Sequence, residues 1–134
     1  MKTPNLPPRA VVELDLVNQR LTELDSSLQL VEQQLEQTSI ALAVIKELSS
    51  SDKDKELLVP IGGGVFVTVS SSAVSDIKVA VGAGVVVDKS SDEALSFVQK
   101  QFEELQVYYQ QLMTTYELTV QKARQLQESI DKKV

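Results

Sequence analysis

The chain contains no histidine, no cysteine and no tryptophan among its 134 residues. Without His or Cys it lacks the commonest general base, the thiol nucleophile and the usual zinc ligands. Without Cys it has no disulfide framework, and it is compatible with a reducing cytosol. Aromatic residues make up 4% of the chain, few for a rounded core. No apolar run approaches the roughly 18 residues that a membrane span needs. The opening Met1–Arg9 is polar and Pro-rich and has no apolar stretch of the kind a secretory leader carries. A net charge of −6 and an isoelectric point near 4.6 argue against a nucleic-acid partner. The carboxylates fall on polar helix faces, where solvation explains them, and no residue is assigned a catalytic, cofactor or metal role.

What the chain does have is a heptad pattern, twice. In the first arm Leu14, Val17, Leu21, Leu24, Leu28, Val31, Leu35, Thr38, Leu42 and Ile45 alternate spacings of three and four. In the second, Leu95, Val98, Phe102, Leu105, Tyr109, Leu112, Tyr116, Thr119, Ala123, Leu126 and Ile130 do the same. A 3.5-residue period needs a partner helix along its length. The positions between are mostly Gln, Glu, Lys and Ser. Thr38 and Thr119 interrupt otherwise apolar stripes, a choice that can fix register. Tyr109 and Tyr116 lie in the stripe, so packing accounts for them before any stacking role does.

Pro7 and Pro8 suit the opening turn of a helix. The pattern predicts a coiled-coil helix over residues 9–50 and a second over 90–133. Ser90 followed by Glu93 is a capping box that starts the second near Ser91. Between them, residues 56–89 read as two β-hairpins. Leu57–Ile61 and Val65–Val69 flank Gly62-Gly63-Gly64, and Ile77–Val81 and Val85–Val87 flank Gly82-Ala83-Gly84. Pro60 places its strand at an edge or a bulge. Gly82 or Gly84 supplies the positive φ that the second turn demands. The glycines do not form a phosphate loop, because a strand follows them and not a helix N-terminus.

The expected fold is therefore α+β: one domain, residues 1–134, a long antiparallel coiled-coil hairpin with two β-hairpins at one end that join other chains. Folding the arms together sets Leu14 near Ile130 and Ile45 near Val98. The strands have no helix of this chain to cover them, so other chains are expected to. Residues assigned to assembly are Pro60, Gly62, Gly63, Gly64, Phe66, Val67, Val79, Val81, Gly82, Gly84 and Val86. At the open end, where no cap closes the coil, Leu6, Val11, Val12, Leu14, Leu126, Ile130 and Val134 form a candidate contact site for another chain.

Leu58-Val59-Pro60-Ile61-Gly62-Gly63-Gly64-Val65-Phe66-Val67 resembles the first hairpin of the prefoldin α-type subunit. Val81-Gly82-Ala83-Gly84-Val85-Val86-Val87, with Lys89-Ser90 and Glu93-Ala94, resembles its second hairpin and the start of its second helix. A β-type subunit would carry one hairpin. The order of elements also matches, and the short Cys-free chain resembles archaeal members. The middle Gly of the first turn and the short tail after the last heptad depart from the pattern. The resemblance implies a hexamer of two α-type and four β-type subunits, a second α subunit thus being one partner. Their hairpins would form a double β-barrel body bearing six coiled coils. It implies a cytoplasmic, ATP-independent holdase without cofactor, which grips unfolded polypeptide clients at the tips and passes them to a group II chaperonin, with no nucleic-acid or membrane partner. The alternative is a structural coiled-coil spacer or filament-forming subunit that binds no client.

Overall fold

The computed structural model describes residues 8–49, 55–73 and 76–132. Helix α1 spans Arg9–Leu48 and helix α2 spans Ser91–Asp131. Between them run strands β1 (Glu56–Gly62) and β2 (Val65–Ser70), a 3-10 turn (Ser71–Ala73), and strands β3 (Ile77–Gly82) and β4 (Val85–Lys89). The chain divides into two compact units, Met1–Gln33 with Gln106–Val134, and Gln34–Leu105. Both helices run through both units.

The termini of the helices follow local chemistry. The carbonyl of Pro8 accepts from the amides of Val11 (3.0 Å) and Val12 (3.2 Å), so α1 opens directly behind its proline. At α2 the capping box is complete. The Glu93 amide donates to Ser90 Oγ at 3.2 Å, and the Ser90 amide donates to Glu93 Oε1 at 3.4 Å. The Ser90 hydroxyl, donating to Glu93 Oε1 at 2.9 Å, is the main cause that holds the Glu93 carboxyl below its ordinary pKa, followed by the Ser90 amide and then Lys89.

The 3.5-residue stripes are the packed faces. Every stripe position of both helices, from Leu14 to Ile45 and from Leu95 to Ile130, is buried or half-buried. In the unit holding the chain ends the buried set is Val17, Leu24, Leu28 and Val31, with Leu24 only 2% exposed. There the two helices also share a polar bond: the Tyr109 hydroxyl donates to Glu32 Oε1 at 2.8 Å. That bond is the main reason the phenol's pKa lies above its usual value. Thr38 and Thr119 turn their hydroxyls onto the carbonyls of Gln34 and Thr115, each at 2.6 Å, so neither leaves an unpaired hydroxyl in the stripe.

In the other unit Ile45, Val79 and Ala94 form a buried cluster, with Ile77, Leu95, Phe97 and Val98 packed against it. Ile45 of α1 thus shares a buried cluster with Ala94 of α2, with Val98 packed against that cluster. The strands form two separate two-stranded antiparallel sheets, β1–β2 and β3–β4. The base of the first is tied by the Ser71 amide donating to the Lys55 carbonyl at 2.8 Å and the Lys55 amide donating to Ser71 Oγ at 3.0 Å.

Candidate functional site

The hairpins share one construction. In the first, Pro60 pairs with Phe66 and Gly62 with Val65, leaving Ile61 as the extra residue of a bulge. In the second, Ala80 pairs with Val86 and Gly82 with Val85, leaving Val81 extra. The central turn residues are Gly63-Gly64 (φ 61 and 75°) and Ala83-Gly84 (φ 50 and 74°). Positive φ at both central positions is the type I′ geometry that matches strand twist. Both Gly82 and Gly84 have positive φ, so the sequence expectation of one or the other is met twice. A Cβ built on any of the five glycines would meet nothing within 4 Å. Within this chain the glycines serve backbone conformation and not close approach.

The bulges set which side chains face where. Leu57 and Val79 point inward and are buried. Val79 was assigned to assembly on sequence, yet it packs on Ile45 and Ala94 and completes this chain's own core. The other assigned side chains face solvent to a greater degree: Pro60 is half-buried, and Phe66, Val67, Val81 and Val86 are exposed. Leu58 (64% exposed), Ile61, Val65 and Val85 join them, although the sequence reading did not include them. The missed signal is that the first hairpin has apolar residues at both parities of β1, so it cannot hide them all on one face.

An apolar recess of about 670 Å³ opens in the same unit, lined by Ile40 and Val44 of α1, Leu57, Val59 and Val69 of the first hairpin, Ile77 of the second, and Phe97 of α2. Its polar lining comes from Gln37, Asp76, Lys78 and Gln101. Lys78 Nζ lies 2.7 Å from Asp88 Oδ1 and 3.3 Å from Asp76 Oδ2. Its hydrogen bond to Asp88, then that to Asp76, holds the ammonium above its ordinary pKa. Among the described residues no group of three or more carboxylates could hold a metal ion.

At the chain-end unit, Val11 and Val12 are exposed, while Leu14, Leu126 and Ile130 are half-buried in the stripe. Leu6 and Val134 lie outside the described residues. Arg9 and Glu13 pair beside the valines at 3.2 Å. Apolar residues the sequence reading passed over stand further along the helices: Leu16 and Leu30, both 58% exposed, and Val107, Tyr108 and Leu118. Their signal was available as the large apolar residues left over once the stripe is subtracted.

Comparison with known proteins points one way. A family model described as prefoldin subunit matches residues 17–134. The chain is similar to the prefoldin subunit alpha of Thermofilum pendens, 32% identical over 122 residues, covering 91% of this chain and 95% of that protein. It is similar also to the prefoldin subunit alpha of Pyrococcus horikoshii, 32% identical over 100 residues, covering 69% and 68%. A filamentous PFD from Methanocaldococcus jannaschii, solved by cryo-EM, matches at a TM-score of 0.47 and 19% identity, covering 90% of this chain and 93% of its own.

Proposed function

This chain belongs to the prefoldin family, as an alpha-type chaperone subunit, and we propose that it works in a cytoplasmic, ATP-independent hexamer of two such subunits and four β-type subunits. The hexamer captures unfolded or nascent polypeptides at the open coil ends and hands them to a group II chaperonin. The hairpins, with their exposed Leu58, Phe66, Val81 and Val86, hold the subunits together. Among the described residues no helix is long and apolar enough to cross a membrane.

The observation that carries the capture step is the pair Val11 and Val12, exposed at the start of α1 in the unit that also holds the half-buried Leu126 and Ile130. Fully burying one such side chain stabilises by roughly 1.5–3 kcal/mol, so one tip holds a client weakly. Several tips acting on one chain multiply that into useful retention while each contact still releases fast. The test is light scattering of an aggregating denatured protein without nucleotide. It compares intact hexamers with hexamers carrying Val11→Ser and Val12→Ser, the β-type tips being trimmed in both. Protection should fall in the variant. Equal protection would move the client surface away from the coil ends.

A further inference from the structure

Lettered as heptads, both helices carry their stripe at positions a and d. At about 100° per residue, c and g then lie to one side of the stripe and b and e to the other. In an antiparallel pair the c and g positions of both helices share one side of the seam. The recess shows what covers that side in the unit Gln34–Leu105. Gln37, Ala41, Val44 and Leu48 of α1 and Phe97 and Gln101 of α2 all hold c or g positions, and they line it with residues of β1, β2 and β3. There, extended chain lies over the c and g side, with Phe97 packed on the cluster that holds Val79.

The other unit contains no strand among its described residues. Its c and g side is apolar all the same. Leu30 and Leu16 stand at c, two and four heptads ahead of Val44. Leu118 stands at c, three heptads beyond Phe97, and Tyr108 at g, one heptad beyond Gln101. All four are exposed, from 49 to 60%. Between Tyr108 and Leu118 the side carries only Gln111 and Thr115. Between Leu16 and Leu30 its charges are Arg20 and Glu23, which pair at 3.3 Å. The b and e side of the same stretch is acidic, with Asp25, Glu32 and Glu117. Val107, also exposed, stands at f on the outer ridge and belongs to neither side.

We infer that the c and g side of the arms is a second client contact, which holds a stretch of unfolded polypeptide in extended form along the coil. This rests on the proposed capture of unfolded chains. Extended chain covers this side in the strand unit, and the same positions stay uncovered where this chain has no strand to offer. The side also continues the capture surface, because Val12 lies one helical turn ahead of Leu16. A helix fits it poorly. A coiled-coil partner needs an apolar contact in every heptad, and on α1 the c position between Leu16 and Leu30 is Glu23. Those two leucines stand about 21 Å apart along the helix. An extended chain crosses that distance in about six residues. It can therefore set one apolar side chain on each leucine and keep polar residues between them.

The experiment uses hexamers made by co-expressing the full chain with a β-type subunit whose tips are trimmed. Leu30→Gln with Leu118→Gln removes the apolar contact and keeps helix propensity. Val107→Gln is the control on the ridge. Binding of fluorescently labelled, guanidine-denatured citrate synthase is read by anisotropy without nucleotide, with mass and helical signal checked for each complex. The Leu30 and Leu118 variant should assemble normally and bind roughly tenfold more weakly. The Val107 variant should bind as the wild type does. Equal binding by all three would overturn the inference, and so would an equal loss from Val107→Gln. If Val11→Ser with Val12→Ser loses binding in that case, the proposed function still stands. A wild-type hexamer that binds no denatured chain would overturn the proposed function and this inference with it. Failure of the Leu30 and Leu118 variant to assemble would show that a subunit already covers this side, and would overturn the inference. So would pairing of wild-type hexamers that the variant abolishes, since it assigns the side to a second arm.

Discussion

The helices and the hairpins treat apolar surface in opposite ways. Along the helices, every stripe residue is buried or half-buried by the same chain. On the hairpins, Leu58, Ile61, Val65, Phe66, Val81, Val85 and Val86 stay exposed. A two-helix seam closes on itself because each stripe meets its complement. A two-stranded sheet has two faces and two edges, and this chain covers one face of each at most. The first region is complete in one chain; the second leaves apolar surface that this chain does not cover. The contrast predicts separable failures: changes in the seam act on folding, and changes on the hairpins act on association.

The largest effect should come from Leu58→Asp with Phe66→Asp. It should abolish co-assembly with a β-type subunit in chromatography, with most far-UV helical signal retained. Loss of helix in proportion to loss of complex would collapse the distinction between the two regions. Next comes Leu24→Ala in the seam. It removes a side chain that is 2% exposed and should cost about 2–4 kcal/mol, read by chemical denaturation of the assembled complex. The complex should keep its mass below the transition. Ala83→Gly should be smaller and of opposite sign. Ala83 has φ 50°, a conformation that costs a non-glycine residue roughly 1–2 kcal/mol. The added freedom of the unfolded glycine returns about 0.4–1 kcal/mol of that. A gain of up to about 1.6 kcal/mol in hairpin stability is expected, seen as a higher midpoint of dissociation. The smallest effect is one of pH. The Glu93 carboxyl is held below its ordinary pKa by Ser90. Its stabilisation is present above the unfolded value and is lost as pH falls through the folded one. Acid should therefore loosen the start of α2, measured as lower amide protection factors at Ala94 and Leu95, and Glu93→Gln should flatten that dependence.

The two stripes were readable position by position from the sequence, because a period of 3.5 residues over this length needs a packed face along all of it. The start of α2 was readable for a similar reason: Ser90 and Glu93 are a local pair whose hydrogen bonds need no distant partner. The hairpins were readable as hairpins but not in detail. Each bulge draws its first glycine into the strand, so Gly62 and Gly82 pair with Val65 and Val85 and the turn centres lie one step later. That shift depends on twist and packing, which no run of Val and Gly displays. Val79 shows the same limit. Its alternation with Lys78 and Ala80 marks a buried face, but not whether this chain or another does the burying. At the chain ends the sequence marks Val11 and Val12 as exposed candidates, whereas Leu16 and Leu30 give no such mark because they flank the stripe instead of breaking it.

The bond between Tyr109 and Glu32 joins residues 77 positions apart, whereas the cluster that brings Ile45 and Ala94 together closes a shorter stretch of chain. The entropy of closing a loop rises with its length. The helices should therefore zip from the strand end outward, each new layer extending a closure already made. The layers around Leu14 and Ile130 form last and, by the same ordering, open first. Fraying at the coil's free end is then a thermodynamic gradient written into the connectivity, and amide exchange along α1 should quicken steadily from Ile45 back toward Val11.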